Sequence, residues 1–542
     1  MKRVLSALVV CICFTNAAYA AGTVYETTFY SPSLARECSV QIYLPDGYDP
    51  MGSTQYPVVY FLHGALDNHM GYSFILDIFD IMIAGQIIEP VIVVKPDGRS
   101  TPYVVSWSTN SILNGLYEDY LVNDLVDFVE TNYNAIPQSE YRYIMGHSAG
   151  GYGAMTLGLK HPDVYSRLAA HSGVLEFNVL IVAALPALLA EYPLGPPYIW
   201  NPFAGFFSGV FFSLGAAFSP NFLNPPFYVD LPLDENAQII EPIWQLWLQH
   251  NPPSYAAGLP PNTELGIYFD CGTMDEMGCY PQNVVFADIL SQLNIDHEFQ
   301  EYVGDHSSVL PERFPISIAF LVGLKAHVYF QPTILNLGSA GTWITCHIGL
   351  PGDYLITDID PYSVVLNEIN GIALDPPLYR EGPIEICEYR GELCLMAKFN
   401  RQDVIEHLYT AGITGKQTVE LVVAGELTNG IPFHDIGALN VTGTAGPQGN
   451  EMAYKTGGIL YKCIPNPFST TTAILYEIPS ETHVSVTIYN AVGQRVATLV
   501  DATQEAGSYS VSWEGKNLPN GVYLCTMETD GCTETQKILL MK

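Results

Sequence analysis

Two hydrophobic patterns alternate along the first 328 residues of the chain. Residues 57–62 and 91–94 are short apolar runs, typical of strands buried on both faces of a parallel sheet. Between Tyr117 and Tyr133, by contrast, apolar residues recur at helical spacing with carboxylates between them. Further strands are predicted at 141–145, 167–173, 265–270 and 297–302, and further helices at 152–159, 236–250 and 286–293. After an antiparallel pair at 24–43, this alternation predicts an α/β fold with a mostly parallel sheet and helices on both faces.

A stretch rich in Phe, Pro, Gly and Leu interrupts this alternation. Residues 192–229 carry no charged side chain, and the whole insertion covers about 175–235. Pro and Gly break each apolar run before it reaches the length of a membrane-spanning helix. Two interpretations stay open: a lid with an apolar underside over an active site, or a packing insertion or subunit contact. As a lid, the insertion makes Phe206 and Phe211 the candidate substrate contacts.

Beyond residue 328 the pattern changes to short alternating segments broken by Gly, Pro, Asn and Asp, which is typical of β-sandwiches. We predict an α/β domain at 21–328, an Ig-like sandwich at 329–442, a linker at 443–462 and a second small sandwich at 463–542. The middle sandwich holds no catalytic constellation. We therefore expect it to be a spacer, with carbohydrate binding as the alternative.

The N-terminus and the charge both indicate an exported protein. A basic start at 1–3, an apolar run at 4–14 and Ala-Tyr-Ala at 18–20 form the three parts of a secretory signal peptide, with cleavage expected after Ala20. The chain has 55 acidic and 21 basic residues, a net charge of −34. Such a charge argues against nucleic acid and anionic membrane surfaces as partners.

Cysteine usage allows disulfides but indicates no metal. Cys11 and Cys13 would leave with the signal peptide, so nine of the 11 cysteines remain, and an odd number leaves at least one without an internal partner. The candidate local disulfides join Cys271 with Cys279 and Cys387 with Cys394. No cysteine or histidine cluster has zinc-site spacing, so we predict no metal and no cofactor.

The sequence Gly146-His147-Ser148-Ala149-Gly150 lies between a predicted strand and a predicted helix. A G-x-S-x-G at such a junction is typical of the nucleophile elbow of the α/β-hydrolase fold. The sharp turn needs small residues at Gly146 and Gly150, where strand and helix approach closely. Ser148 then projects from the top of the sheet near the start of the helix, where an oxyanion is stabilised. We predict that Ser148 is a nucleophile.

A serine nucleophile needs a base and an orienting acid, and in this fold the chain order is serine, acid, histidine. Among the histidines after Ser148, His306 alone follows a late strand in a glycine-led loop, from which an imidazole can reach the serine. The acid belongs in the loop after the preceding strand. Asp275 lies far enough into that loop to reach the base, Glu276 is the reserve, and Asp270 closes the strand in a position that fits a structural role.

Two backbone N–H groups complete the predicted site. The N–H of Ala149 follows from the elbow geometry, and the second donor is expected at Ala65, in the loop after the first central strand. His63 and Gly64 shape that loop, and we expect no direct catalytic role for the His63 side chain.

Five segments of the α/β region carry a family resemblance: YFLHG at 60–64, YEDYL at 117–121, GHSAGGYGA at 146–154, DCGTMD at 270–275 and GDHS at 304–307. They resemble the esterase D family, which includes S-formylglutathione hydrolases, feruloyl and acetyl-xylan esterases, enterochelin esterases and mycobacterial mycolyltransferases. The resemblance implies an α/β-hydrolase fold and serine esterase activity. Its triad and oxyanion roles fall on Ser148, Asp275, His306, Ala65 and Ala149.

Two features depart from the family pattern. His147 stands where many members have Leu or Phe, and the insertion at 175–235 is not a general family feature. We expect a secreted serine carboxylesterase acting on acyl, aryl or polysaccharide-linked esters. Export disfavours the S-formylglutathione hydrolase branch, whose substrate is cytosolic. The alternatives are an acyltransferase of the mycolyltransferase type and a non-catalytic cell-surface binding protein on a hydrolase scaffold.

The C-terminal region carries a second resemblance, in the segments IPNPF at 464–468, IYN at 488–490, GQ at 493–494, AG at 506–507, Trp513, GVY at 521–523 and KILL at 537–540. These look like the C-terminal sorting domain of type IX secretion substrates. The resemblance implies transport across the outer membrane by the type IX machinery, and so a secreted or cell-surface location. The alternative is an ordinary stalk domain of the fibronectin type.

Overall fold

The computed structural model describes residues 21–261, 263–339, 341–443, 459–464, 468, 471–478, 481–490, 494–515, 518–529 and 532–540. The predicted signal peptide at 1–20 and most of the predicted linker at 443–462 lie outside the described residues. The chain divides into two compact units, residues 1–444 and 445–542.

An eight-stranded sheet forms the centre of the first unit. Its strands are β1 (Thr23–Ser31), β2 (Arg36–Leu44), β3 (Val58–Leu62), β4 (Ile92–Pro96), β7 (Arg142–His147), β8 (Arg167–His171), β9 (Gly266–Gly272) and β10 (Glu298–Tyr302); β5 (Asn110–Ser111) and β6 (Gly115–Leu116) form a separate small hairpin. The spatial order is β1-β2-β4-β3-β7-β8-β9-β10. Strand β2 is antiparallel to β1 and β4, and the pairs from β4 to β10 are all parallel. The predicted mostly parallel α/β-hydrolase sheet is confirmed.

Helices cover both faces of this sheet. They are α1 (Phe74–Ala84), α2 (Tyr117–Asp119), α3 (Leu125–Asn132), α4 (Ala149–Lys160), α5 (Phe177–Ala190), α6 (Phe206–Phe218), α7 (Glu241–Leu248), α8 (Pro252–Ala256), α9 (Cys279–Gln292) and α10 (Leu310–Val322), with a π-helical turn at Tyr120–Asp124. In β3, Tyr60 packs with Leu125 and Leu157 of α3 and α4, whereas the ring of Phe61 lies 5.8 Å from that of Phe314 of α10. Neighbouring strand residues thus bury apolar side chains in opposite directions.

The insertion contains α5 and α6, and α7 follows it. Phe177, Phe211 and Trp247 from these helices share a buried cluster with Ala149 at the start of α4 and Cys271 at the end of β9. The insertion therefore packs over the carboxyl ends of the parallel strands, the edge at which open α/β sheets bind ligands. Within the described part of the chain, no helix combines the length and the apolar character needed to cross a membrane.

The first unit continues as two β-sheets. Their strands are β11 (Leu324–Lys325), β12 (His327–Gln331), β13 (Ile334–Asn336), β14 (Trp343–Gly349), β15 (Val365–Ile369), β16 (Ile372–Tyr379), β17 (Glu381–Tyr389), β18 (Glu392–Asn400), β19 (Gln417–Glu426) and β20 (Pro432–Thr442). One sheet has the order β11-β20-β19-β15-β16 with β13 on β20, and the other β12-β14-β18-β17. The sequence analysis missed helix α11 (Arg401–Thr410), which begins where the Asn400 side chain accepts the N–H groups of Gln402 and Asp403.

The second unit is built of strands only, as far as it is described. They are β21 (Ile459–Ile464), β22 (Thr471–Ile478), β23 (Thr482–Asn490), β24 (Arg495–Gln504), β25 (Gly507–Glu514), β26 (Gly521–Thr529) and β27 (Cys532–Leu540). Their sheets have the orders β21-β22-β25 and β24-β23-β26-β27. Ile474, Ile488, Trp513, Tyr523 and Ile538 lie in the shared core. The predicted small β-sandwich is confirmed.

The candidate disulfides were wrong. Cys271, Cys279, Cys387 and Cys394 are all unpaired thiols. Cys271 lies one residue before the end of β9, with its thiol 3.5 Å from Oδ2 of Asp275, and Cys279 is the first residue of α9. Cys387 and Cys394 are register partners in β17 and β18, but the Cys387 sulfur lies 3.4 Å from Nδ1 of His347.

Candidate active site

Ser148 occupies a strained turn between β7 and α4. Its φ of 59° lies in a region that residues with a side chain rarely adopt. A Cβ on Gly146 would overlap the carbonyl oxygen of Gly150, and a Cβ on Gly150 would overlap that of Leu62. Both positions therefore require glycine, because strand and helix approach each other too closely for any side chain. The turn leaves Ser148 partly exposed beside the insertion.

His306 and Asp275 meet in the loops after β10 and β9. Nδ1 of His306 lies 2.8 Å from Oδ2 of Asp275, whose side chain is fully buried, while that of His306 is 12% exposed. The other carboxylate oxygen accepts the N–H groups of Met277 and Cys279 at 2.9 and 3.2 Å. Burial raises the pKa of Asp275, but the hydrogen bonds from His306 and Cys279 outweigh it and lower the pKa below its usual value. The ionised Asp275 carboxylate accepts a hydrogen bond from Nδ1–H of His306, which orients the ring and keeps its proton on Nδ1.

Glu276, the reserve acid, contacts a different part of His306. Its Oε2 accepts the backbone N–H of His306 at 3.1 Å. Asp275 thus contacts the imidazole ring and Glu276 the main chain of the same residue. The two neighbouring acids can be distinguished by this geometry, although their positions in the sequence are nearly equivalent.

His147 connects the nucleophile turn to the His306 loop, a contact that the sequence analysis missed. Its Nε2 lies 2.8 Å from the carbonyl oxygen of His306, and its Nδ1 lies 2.7 Å from the hydroxyl of Tyr72. Burial, and then the neighbouring His306, lowers the pKa of His147 to about 3. The ring is therefore neutral; we assign its Nε2–H as donor to His306 and its Nδ1 as acceptor from Tyr72. Nothing local in the sequence signals this bridge.

The loop after β3 brings Ala65 to the same cavity as Ser148 and Ala149. A Cβ on Gly64 would lie 2.8 Å from the Tyr72 hydroxyl and 3.5 Å from Cβ of Ser148, so the loop passes close to the serine. The His63 ring supports the loop: its Nε2 accepts the N–H of Gly98 at 2.9 Å, and its Nδ1 lies 2.8 Å from the carbonyl oxygen of Gly64.

A cavity of about 80 Å³ opens beside Ser148. Apart from Ser148, its lining side chains are apolar. Phe206 and Phe211, the predicted substrate contacts, both line it. The contributions of α5 and of the tryptophans of α7 were not predicted from the sequence. These further lining residues include Leu180, Ile181, Leu185, Leu188, Trp244 and Trp247.

Asp270 belongs to a buried ion network beneath the site. Its oxygens lie 2.9 Å from Nδ1 of His171 and 2.9 Å from Nε of Arg313, and it also accepts the Tyr268 hydroxyl at 2.8 Å. Burial raises the pKa of Asp270, but His171 and Arg313 outweigh burial and lower the pKa to about 2. The Asp270 carboxylate thus joins strands β8 and β9 to helix α10, and both of its oxygens are used in these contacts.

Asp275, Cys279 and His306 are also a group of metal-ligand type. One ligand atom from each lies within 4.8 Å of the others. Burial raises the pKa of the Cys279 thiol well above its ordinary value, which keeps the thiol protonated. Asp275 and His306 are already bonded to each other. These features suit an acid–imidazole pair better than a metal site.

The model of the Esterase family matches residues 31–314, more than half of the chain. The chain belongs to the esterase family. The matched range contains Ser148, which lies in the turn between β7 and α4, and Asp275 and His306, which lie in the loops after β9 and β10. The secretion system C-terminal sorting domain matches residues 462–541 of this esterase-family protein and indicates export, to the medium or the cell surface.

This esterase-family protein is similar to curated proteins over a short segment. It is 29% identical over 150 residues to an esterase of Mycobacterium tuberculosis (strain CDC 1551 / Oshkosh), covering 27% of this chain and 31% of the relative. It is 26% identical over 158 residues to an endo-1,4-beta-xylanase/feruloyl esterase of Xylanibacter ruminicola, covering 28% and 22%. The matches thus cover less than a third of the length of these two relatives.

Solved structures similar to this esterase-family protein include an S-formylglutathione hydrolase from Staphylococcus aureus, with 18% identity and a TM-score of 0.38 over 56% of this chain and all of the other. They also include a ferulic acid esterase from Anaeromyces mucronatus in complex with ferulic acid. That match has 18% identity and a TM-score of 0.38, over 57% of this chain and 94% of the other.

Proposed function

We propose that this protein is an exported serine carboxylesterase, with Ser148 as nucleophile, His306 as base and Asp275 as orienting acid. The observation that carries the proposal is the 2.8 Å contact between the His306 ring and the buried Asp275 carboxylate. This pair lies in loops at the carboxyl end of the sheet, where the strained Ser148 turn also lies. Membership of the esterase family supports the same reaction class.

In the proposed mechanism, Nε2 of His306 takes the proton of the Ser148 hydroxyl as its oxygen attacks the ester carbonyl carbon. The Asp275 carboxylate stabilises the imidazolium, and the N–H groups of Ala65 and Ala149 hold the oxyanion. The tetrahedral intermediate then releases the alcohol, which receives the proton from His306. A water molecule, deprotonated by the same imidazole, attacks the acyl-enzyme, and the acid leaves with Ser148 restored.

The cavity beside Ser148 supports esters with an apolar acyl or aryl group. Its lining provides Phe206 and Phe211 but no charged side chain, so a polar acyl group would lose its hydration without compensation. The sorting domain supports a secreted or cell-surface location. The proposed route begins with the signal peptide at 1–20 and ends with the type IX machinery.

The test uses residues 21–542, the expected mature chain, with p-nitrophenyl acetate, butyrate, octanoate and ferulate. We expect turnover in the wild type and in Ser166→Ala, whose hydroxyl bonds the Glu140 carbonyl oxygen before β8 begins. We expect none in Ser148→Ala, and labelling of Ser148 alone by a fluorophosphonate. Absence of both turnover and labelling in the wild type would reject the proposal.

A further inference from the structure

The insertion is almost free of charge in a strongly acidic protein. Between Phe177 and Val229 the chain has one charged side chain, Glu191, although its net charge is −34. The Glu191 carboxylate accepts the N–H groups of Phe207 and Ser208 at 2.9 and 2.8 Å, and the Ser208 hydroxyl at 2.6 Å. This charge is therefore used within the insertion, as a cap on the positive end of α6.

Large apolar side chains of the insertion are exposed. The exposed fractions are 72% for Val182, 99% for Leu194, 85% for Ile199, 80% for Phe203 and 91% for Leu223. Single exposed apolar residues are ordinary on protein surfaces, but several on a segment whose one charged side chain, Glu191, is bonded within the insertion indicate an interaction surface. We call these five residues the insertion face.

The insertion face continues into the cavity beside the nucleophile. Phe206, the first residue of α6, is 39% exposed and also lines the cavity, and Phe203 lies three residues before it in the chain. The Phe203 ring lies 6.3 Å from that of Phe227, and the next residue, Tyr228, lies 6.2 Å from Phe222. The Phe227 ring in turn lies 5.1 Å from that of Phe212, which is buried, so aromatic side chains connect the exposed Phe203 with the interior.

We propose that the insertion face binds a neutral lipid surface, from which the enzyme takes water-insoluble acyl esters. This inference rests on the esterase function proposed above and specifies its substrate class. A surface without charged side chains complements a neutral lipid layer, whereas the net charge of −34 repels an anionic one. Binding of a charged protein partner would leave that partner's charges unpaired against this face.

Helix α5 fits this arrangement because it has no polar side. From Val179 to Ala190 every side chain is apolar, Leu180, Ile181 and Leu185 line the cavity, and Val182 is exposed. An acyl chain that leaves a lipid layer can therefore enter the cavity along apolar side chains. Its ester carbonyl then reaches the serine without the chain crossing water.

The test combines binding and turnover in the mature chain. Binding is measured by flotation with phosphatidylcholine vesicles, and with the same vesicles containing phosphatidylserine. Turnover is measured on soluble p-nitrophenyl acetate and on emulsified tributyrin. The variant Phe203→Glu with Leu223→Glu changes the insertion face but no cavity-lining residue. Its matched control, Met51→Glu with Ile334→Glu, adds the same charge at positions 91% and 58% exposed outside the insertion.

We expect the wild type and the control to bind phosphatidylcholine vesicles, and less strongly when phosphatidylserine is present. The face variant should bind about 100-fold more weakly, since two large apolar side chains no longer leave water. It should also lose turnover on the emulsion while its rate on p-nitrophenyl acetate stays within about threefold of the wild type.

Three results would overturn the inference: no vesicle binding by the wild type, equal losses in variant and control, or a wild-type dimer that only the face variant dissociates. The last result would assign the face to a second copy of the chain. Failure of the esterase proposal would give a different result. The wild type, the face variant and the control would then all lack turnover of p-nitrophenyl acetate, whether or not they bind vesicles.

Discussion

Replacing Asp275 by Asn separates the proposed roles of two neighbouring acids. One side-chain oxygen of Asp275 accepts the N–H groups of Met277 and Cys279, and the other faces Nδ1 of His306. Asn has a single acceptor oxygen, and the two backbone donors retain it. Its NH₂ group then points at His306 and forces the ring to carry its proton on Nε2, the atom that must accept the serine proton.

The expected loss in kcat/KM for Asp275→Asn is about 10⁴-fold, or about 5.5 kcal/mol of transition-state stabilisation, which is the magnitude seen for the wrong imidazole tautomer in a serine triad. Glu276→Gln is the matched control, because an amide oxygen can still accept the backbone N–H of His306. We expect its kcat/KM to stay within about threefold of the wild type.

The assay is p-nitrophenyl butyrate hydrolysis from pH 5 to 10, with thermal unfolding of each variant measured in parallel. If Asp275→Asn retains activity within about tenfold of the wild type while folded, the orienting role is refuted. A larger loss for Glu276→Gln than for Asp275→Asn would transfer the role to the reserve acid.

Four further perturbations test the fold and the cavity. Folding lowers the pKa of Asp270 from 3.8 to about 2, so the ionised carboxylate contributes about 2 kcal/mol to the free energy of unfolding above pH 4. This contribution is lost as the pH falls towards 2, and urea unfolding at pH 2.5, 4 and 6 measures the loss. Asp270→Asn should destabilise the protein by about 3–5 kcal/mol at pH 7, because Arg313 becomes a buried unpaired charge. Gly150→Ala should abolish activity and lower Tm, since its Cβ overlaps the Leu62 carbonyl oxygen. Leu185→Trp fills the cavity and should cut kcat/KM on the octanoate ester about 100-fold while sparing acetate.

Each of these predictions has an outcome that contradicts it. Stability that does not change between pH 4 and 2.5 would show that the Asp270 pairing is not preserved in solution. A fully active Gly150→Ala variant would mean that strand and helix are further apart than the structure shows. Equal losses on acetate and octanoate in Leu185→Trp would mean that the cavity does not hold the acyl chain.

The candidate catalytic residues followed from local signals. Gly146 and Gly150 identify the turn because their lack of a side chain is required there. Asp275 and His306 were selected because each follows one of two successive strands, and the ends of adjacent parallel strands meet at one edge. The structure brings the ring and the carboxylate within hydrogen-bonding distance.

Sequence patterns did not predict contacts between residues that are distant in the chain, or the orientation of a helix without hydrophobic periodicity. Helix α5 is apolar on all sides, so it has no amphipathic pattern to identify the side that lines the cavity. The bridge from Tyr72 through His147 to His306 joins three separate segments. Spacing alone favoured a bond between Cys271 and Cys279, but both thiols are free in the structure.

The sequence by itself determined the strands of the central sheet, several of its helices, the glycine-bounded turn at Ser148 and the β-rich character of the chain beyond residue 328. These depend on side-chain periodicity and on backbone conformations that only certain residues adopt, and both are local properties. The cavity and the different contacts that Asp275 and Glu276 make with His306 were decided by the tertiary structure. Each of these depends on how segments far apart in the chain pack together, and the packing of one segment is decided by the volume and shape of all its neighbours.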